Sequence, residues 1–78
     1  MLLYVYDIKV KDKKALNAVK RRFYYNLNKI KYERKTKSII SVDDIDEELV
    51  DSFFMQFKDF IEVYKIRAQT IEKILGIE

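Results

Sequence analysis

The 78-residue sequence predicts an α+β fold with elements in the order strand, helix, strand, strand, helix, strand. Three patterns carry that reading: an alternating apolar segment at the start, two apolar stripes at helical spacing, and short alternating segments after each stripe.

Leu2 to Ile8 has the Leu, Tyr, Val and Ile content of a strand. Alternation separates Leu2, Tyr4, Tyr6 and Ile8 from Leu3, Val5 and Asp7. Both sets are apolar until Asp7, which places the strand centrally, covered on both faces. Asp12 is suited to cap a helix over about residues 12–29, whose stripe Leu16, Val19, Phe23, Leu27, Ile30 advances by three or four residues.

Lys31 to Thr36 alternates weakly and Ser38 to Val42 is a plain strand, so a tight reversal joins two short strands. Asp44 and Glu47 have capping-box spacing before a second helix over about residues 45–59. Its expected inner face is Ile45, Leu49, Phe53 and Phe57, with Val50, Phe54 and Ile61 alongside. Phe53, Phe54, Phe57 and Phe60 read as core. Ile61 to Ile66 is the closing strand, and residues 69–78 are expected to hold a turn and a short fifth strand.

This order describes a single ferredoxin-like βαββαβ domain over residues 1–78, with right-handed crossovers placing both helices on one face of a four-stranded antiparallel sheet. Leu3 and Val5 then lie on the uncovered face. An apolar open face on a small domain with no Cys calls for a covering partner, and a sheet-to-sheet homodimer through Leu3 and Val5 is expected.

The composition also excludes chemistry. With no Cys and no His, thiolate sites, His-ligated zinc and a histidine general base are absent. The sequence has no apolar run of membrane-spanning length. Met1-Leu2-Leu3-Tyr4-Val5 lacks the marks of a signal peptide, so a cytoplasmic protein without membrane contact is expected. The Lys, Glu and Ile content with few Asn or Gln fits a heat-adapted source.

Charge is strongly segregated. Lys9 to Lys37 holds twelve Lys/Arg and two acids, a net +10, whereas Asp43 to Glu62 holds eight acids and one Lys, a net −7. Lys13, Lys14, Lys20, Arg21, Arg22, Arg34 and Lys37, with Tyr24, Tyr25 and Tyr32 among them, form a candidate surface for RNA or DNA, because phosphate neutralisation drives non-specific binding and aromatics stack on bases. The alternative is a solvated surface with ion pairs between the two halves. The acid run from Asp43 to Asp51 lacks the glycine and spacing of a calcium loop, so it reads as helix capping plus a solvated outer face.

Asp7 ends the first strand on the same face as Leu3 and Val5. If two open faces meet about a two-fold axis, the two Asp7 carboxylates approach each other and, with waters, suit magnesium. The alternative is an ordinary strand-end aspartate.

Several segments taken together resemble the second core adaptation protein of CRISPR systems, here the Cas-two family. They are Tyr6-Asp7-Ile8 closing an aliphatic strand, the basic helix, Lys37-Ser38-Ile39-Ile40, Glu62-Val63-Tyr64-Lys65-Ile66, and the tail Lys73-Ile74-Leu75-Gly76-Ile77-Glu78. The resemblance covers nearly the whole chain without any individually specific motif. It implies a homodimer holding magnesium or manganese between two copies of the first strand's aspartate, matched here by Asp7. It further implies divalent-metal-dependent endonuclease activity on RNA or DNA, or a structural place in the spacer-integration complex beside the integrase partner. Lys13, Lys14, Arg21 and Arg22 fall where the family places basic residues toward nucleic acid. The sequence departs from the pattern at Thr36, where the family carries Gln, and at Ile40, where it carries Phe; the loop Lys9–Lys14 has no arginine. Three classes of function follow: a metal-dependent nuclease or integration subunit, a non-catalytic nucleic-acid-binding dimer, and a protein-interaction or small-molecule-sensing module of the same fold.

Overall fold

In chain order the elements are β1 (Leu2–Ile8), α1 (Lys13–Leu27), β2 (Glu33–Thr36), β3 (Ile39–Val42), a 3-10 turn (Asp44–Asp46), α2 (Glu47–Met55) and β4 (Ile61–Arg67). They are seen in a computed structural model that describes residues 1–72 and 74. The four strands form one antiparallel sheet of order β2-β3-β1-β4, which is the ferredoxin-like arrangement.

β1 is central, as its two apolar faces require. Leu2, Tyr4 and Tyr6 are buried against both helices, while Leu3 and Val5 are half-buried on the other face. Register carries the division across the sheet: Tyr4 faces Ile40 on β3 and Lys65 on β4, and Val5 faces Ile39 and Tyr64. The open face therefore presents Leu3, Val5, Ile39, Tyr64 and Ile66 as neighbours.

The core is aromatic. The Tyr4 and Phe54 rings stack at 5.1 Å, and Phe23 of α1 lies 5.1 Å from both Tyr6 and Phe53. Removing one such ring to Ala costs about 3–5 kcal/mol, because the rigid surroundings only partly collapse. α1 begins where expected, the Asp12 carboxylate accepting from the Ala15 N–H at 3.1 Å. Val19, Phe23 and Leu27 of its stripe are buried, and Leu16 and Ile30 half-buried.

The second helix differs from expectation. It is one 3-10 turn followed by nine α-helical residues, not a helix over 45–59, and neither N-cap residue makes a side-chain capping bond. Asp44 instead meets the Met1 ammonium at 2.7 Å. The tighter winding of the 3-10 turn shifts the phase of the stripe. Val50, Phe53, Phe54 and Phe57 are buried, whereas Ile45 is 90% and Leu49 57% exposed. No strand follows β4 among residues 68–72 and 74, and the remainder of the expected fifth strand, residues 73 and 75–78, lies outside the described residues. No helix among the described residues is long and apolar enough to cross a membrane.

Candidate nucleic-acid interface

The acidic and basic halves do not neutralise each other. Glu47 and Asp51 of α2 pair instead with β4: Lys65 Nζ lies 2.6 Å from Glu47 and 2.8 Å from Asp51, and Arg67 lies 2.5 Å from Glu47. Asp51 also accepts from the Tyr4 hydroxyl at 2.6 Å. Hydrogen bonds from Arg67 and then Lys65 hold the Glu47 pKa down at about 2. Burial, and then Asp51, push the Tyr4 phenol above its ordinary range. Two acids of the run, Glu47 and Asp51, therefore latch an edge strand rather than only facing water, with Lys65 and Arg67 on the helix side of β4.

This leaves the basic surface free. Lys13, Lys14, Lys20, Arg21, Arg22, Arg34 and Lys37 are all exposed, and among the described residues none pairs with a carboxylate. Helical geometry spreads the α1 cations over a broad arc. Lys13 and Lys20, seven apart, lie in one row, and Lys14 and Arg21 in the next. Arg22 turns toward the segment that follows α2, its guanidinium 5.7 Å from the Phe57 ring centre. Tyr25 is exposed and has the Lys29 ammonium 4.4 Å from its ring, whereas Tyr24 is half-buried against Phe23.

Three of the seven converge. Lys20, Arg34 and Lys37 line a pocket of about 330 Å³ with Tyr6, Asp7, Ile8, Leu16, Tyr24 and Ser38. Leu16, Lys20 and Tyr24 follow one another along one side of α1, four residues apart, and face the reversal between β2 and β3. That reversal is held from two sides. The Tyr6 hydroxyl donates to the Lys37 carbonyl at 3.1 Å, and Arg34 donates to the carbonyls of Thr36 at 3.2 Å and Lys37 at 3.4 Å. Arg34 also lies 5.6 Å from the Tyr24 ring centre, so the guanidinium is fixed by both contacts. Lys13, Lys14, Arg21 and Arg22 do not line this pocket.

Asp7 lies on the open face beside Leu3 and Val5 and is exposed. Its carboxylate is 2.9 Å from Lys9 Nζ and raises the pKa of that lysine. The β1–β4 register sets Glu62 directly opposite, a residue that sequence reasoning did not single out. Glu62 accepts from the Tyr64 hydroxyl at 2.6 Å. Like charges directly across an antiparallel pair are unfavourable, and the Lys9 ammonium offsets this. Two neighbouring exposed carboxylates fit magnesium or manganese, which take one or two carboxylates and keep several waters. No group of three or more potential ligand residues exists among the described residues, so one copy alone supplies at most this pair.

Comparison with models of known protein families, with curated proteins and with solved structures found no significant match to this chain.

Proposed function

We propose that this chain binds RNA or DNA as a homodimer, its α1 and β2 cations lying along the phosphate backbone. The observation that carries the reading is the unneutralised basic surface: seven exposed cations without a carboxylate partner among the described residues, while Glu47 and Asp51 of α2 are engaged by β4. A merely solvated surface would mix its signs. The apolar row Leu3, Val5, Ile39, Tyr64 and Ile66 on the open face supports self-association, and two-fold dimers are the commonest assembly. The test is an anisotropy titration with labelled single-stranded and duplex probes. Replacing Lys20, Arg21 and Arg22 with Ala should weaken binding alike across sequences, and wild-type protein that binds neither probe would favour the interaction-module reading.

The Asp7–Glu62 juxtaposition favours a second reading, that of the Cas-two resemblance: a metal-dependent endonuclease or a structural subunit of the spacer-integration complex. Asp7, with Glu62 beside it, would hold magnesium or manganese between two copies. The metal would supply an activated water and charge stabilisation on phosphate, chemistry that a chain without His or Cys does not offer from its own side chains.

A further inference from the structure

We propose that the pocket formed by Lys20, Arg34 and Lys37 is a site for a phosphomonoester, carried either by the end of a nucleic-acid strand or by a free mononucleotide. The inference rests on the basic-surface reading above and gives one part of that surface a distinct ligand.

The first ground is electrostatic. Cations from α1, β2 and the β2–β3 reversal line one hollow of about 330 Å³. Asp7 is the one carboxylate on its wall, and it is already paired with Lys9. Three like charges gathered around one hollow repel one another in the free chain, and an entering anion relieves that repulsion. A backbone diester brings one negative charge, whereas a phosphomonoester brings nearly two at neutral pH and three strong acceptor oxygens. The second charge and the terminal oxygen match a site with three cations.

The second ground is preorganisation. Arg34 spends two of its N–H groups on the Thr36 and Lys37 carbonyls. A guanidinium has five, so three remain for a ligand in a fixed plane. Tyr24 lies against Arg34, and the Tyr6 hydroxyl anchors the Lys37 carbonyl from inside the sheet. Ser38 lies on the same wall. The volume lies at the small end of ligand pockets, which suits a nucleotide-sized group rather than a length of duplex.

The experiment is isothermal titration calorimetry on the whole chain. Its ligands are single strands of about twelve nucleotides, a length within single-strand site sizes, with hydroxyl ends, a 5′-phosphate or a 3′-phosphate, together with free nucleosides and nucleoside monophosphates. A strand-end ligand predicts that a terminal phosphate tightens binding about tenfold, the order expected of one added charge-assisted contact. A free-nucleotide ligand predicts that the monophosphate binds, its parent nucleoside does not, and the strand ends are equivalent. In either case Lys20→Ala and Lys37→Ala, both at exposed positions, should remove the phosphate-dependent gain, whereas Lys58→Ala should not. The gain should also grow from pH 5 to pH 7.5 as the monoester loses its second proton near pH 6; the chain has no His to titrate in that range. Equal binding with and without a phosphomonoester, in both strands and monomers, would overturn the proposal. If hydroxyl-ended strands still bind in that case, the basic-surface reading survives. If only the free monophosphate binds, the site stands and the nucleic-acid reading falls.

Discussion

The Tyr6 hydroxyl, on the buried face of the central strand, donates to the Lys37 carbonyl at 3.1 Å and so ties the sheet core to the reversal that carries a pocket lysine. Tyr6→Phe keeps the ring against Phe23 and removes the hydroxyl that makes this bond. Stability should fall by about 1 kcal/mol, the usual net worth of one hydrogen bond. Nucleic-acid affinity should also fall, because the Lys37 backbone is less firmly placed. Urea denaturation and binding titration of the same variant read the two effects separately; unchanged affinity would mean that the reversal does not contribute to binding.

The Glu47 latch predicts a defined acid response. Its folded pKa is about 2, below the ordinary 4.5, because Arg67 and Lys65 stabilise the carboxylate. The folded state thus binds its proton less readily than the unfolded one, and the linked stability is present above the ordinary pKa and lost as pH falls through the folded value. Glu47→Gln should lower stability at neutral pH and flatten the pH dependence between about pH 4.5 and pH 2. Denaturation midpoints across that window provide the check, and parallel curves for the two proteins would show that the latch is energetically silent.

The open face predicts self-association. Sedimentation at micromolar concentration should give twice the monomer mass, and Val5→Lys, which places a charge amid Leu3, Ile39 and Tyr64, should return the monomer mass. A wild-type monomer at high micromolar concentration would remove both the dimer and a metal shared between two copies.

Metal-dependent cleavage would separate the nuclease reading from simple binding. Cleavage of RNA or DNA should require magnesium or manganese and stop on chelation. Asp7→Asn should abolish it while leaving the dimer and the nucleic-acid affinity in place, and Glu62→Gln should weaken it. Cleavage that persists unchanged in Asp7→Asn would exclude Asp7 as the ligand.

The elements that depend on local pattern were legible in the sequence. Two-residue alternation from Leu2 to Asp7 placed both faces of β1, and the spacing of Leu16, Val19, Phe23 and Leu27 placed α1 with its Asp12 cap. Features that depend on register or phase were not. Glu62 reaches Asp7 only through the β1–β4 pairing, and Lys20 meets Arg34 and Lys37 only when α1 lies beside the β2–β3 reversal. Ile45 and Leu49 fit a continuous helix stripe, but the 3-10 turn and short α2 leave them exposed. On β4, alternation gave no hint that Lys65 and Arg67 would sit on the helix side, where Glu47 and Asp51 receive them.

If the α1 cations and Arg34, exposed and without a carboxylate partner among the described residues, bind nucleic acid through phosphate, affinity must depend on salt. The logarithm of the binding constant for a single strand should fall linearly with the logarithm of salt concentration, by about 0.7 for each phosphate neutralised. Replacing Lys20, Arg21 and Arg22 together with Ala should make that slope shallower by about two, for three contacts removed. Affinity indifferent to salt, or a triple variant with the wild-type slope, would contradict the account.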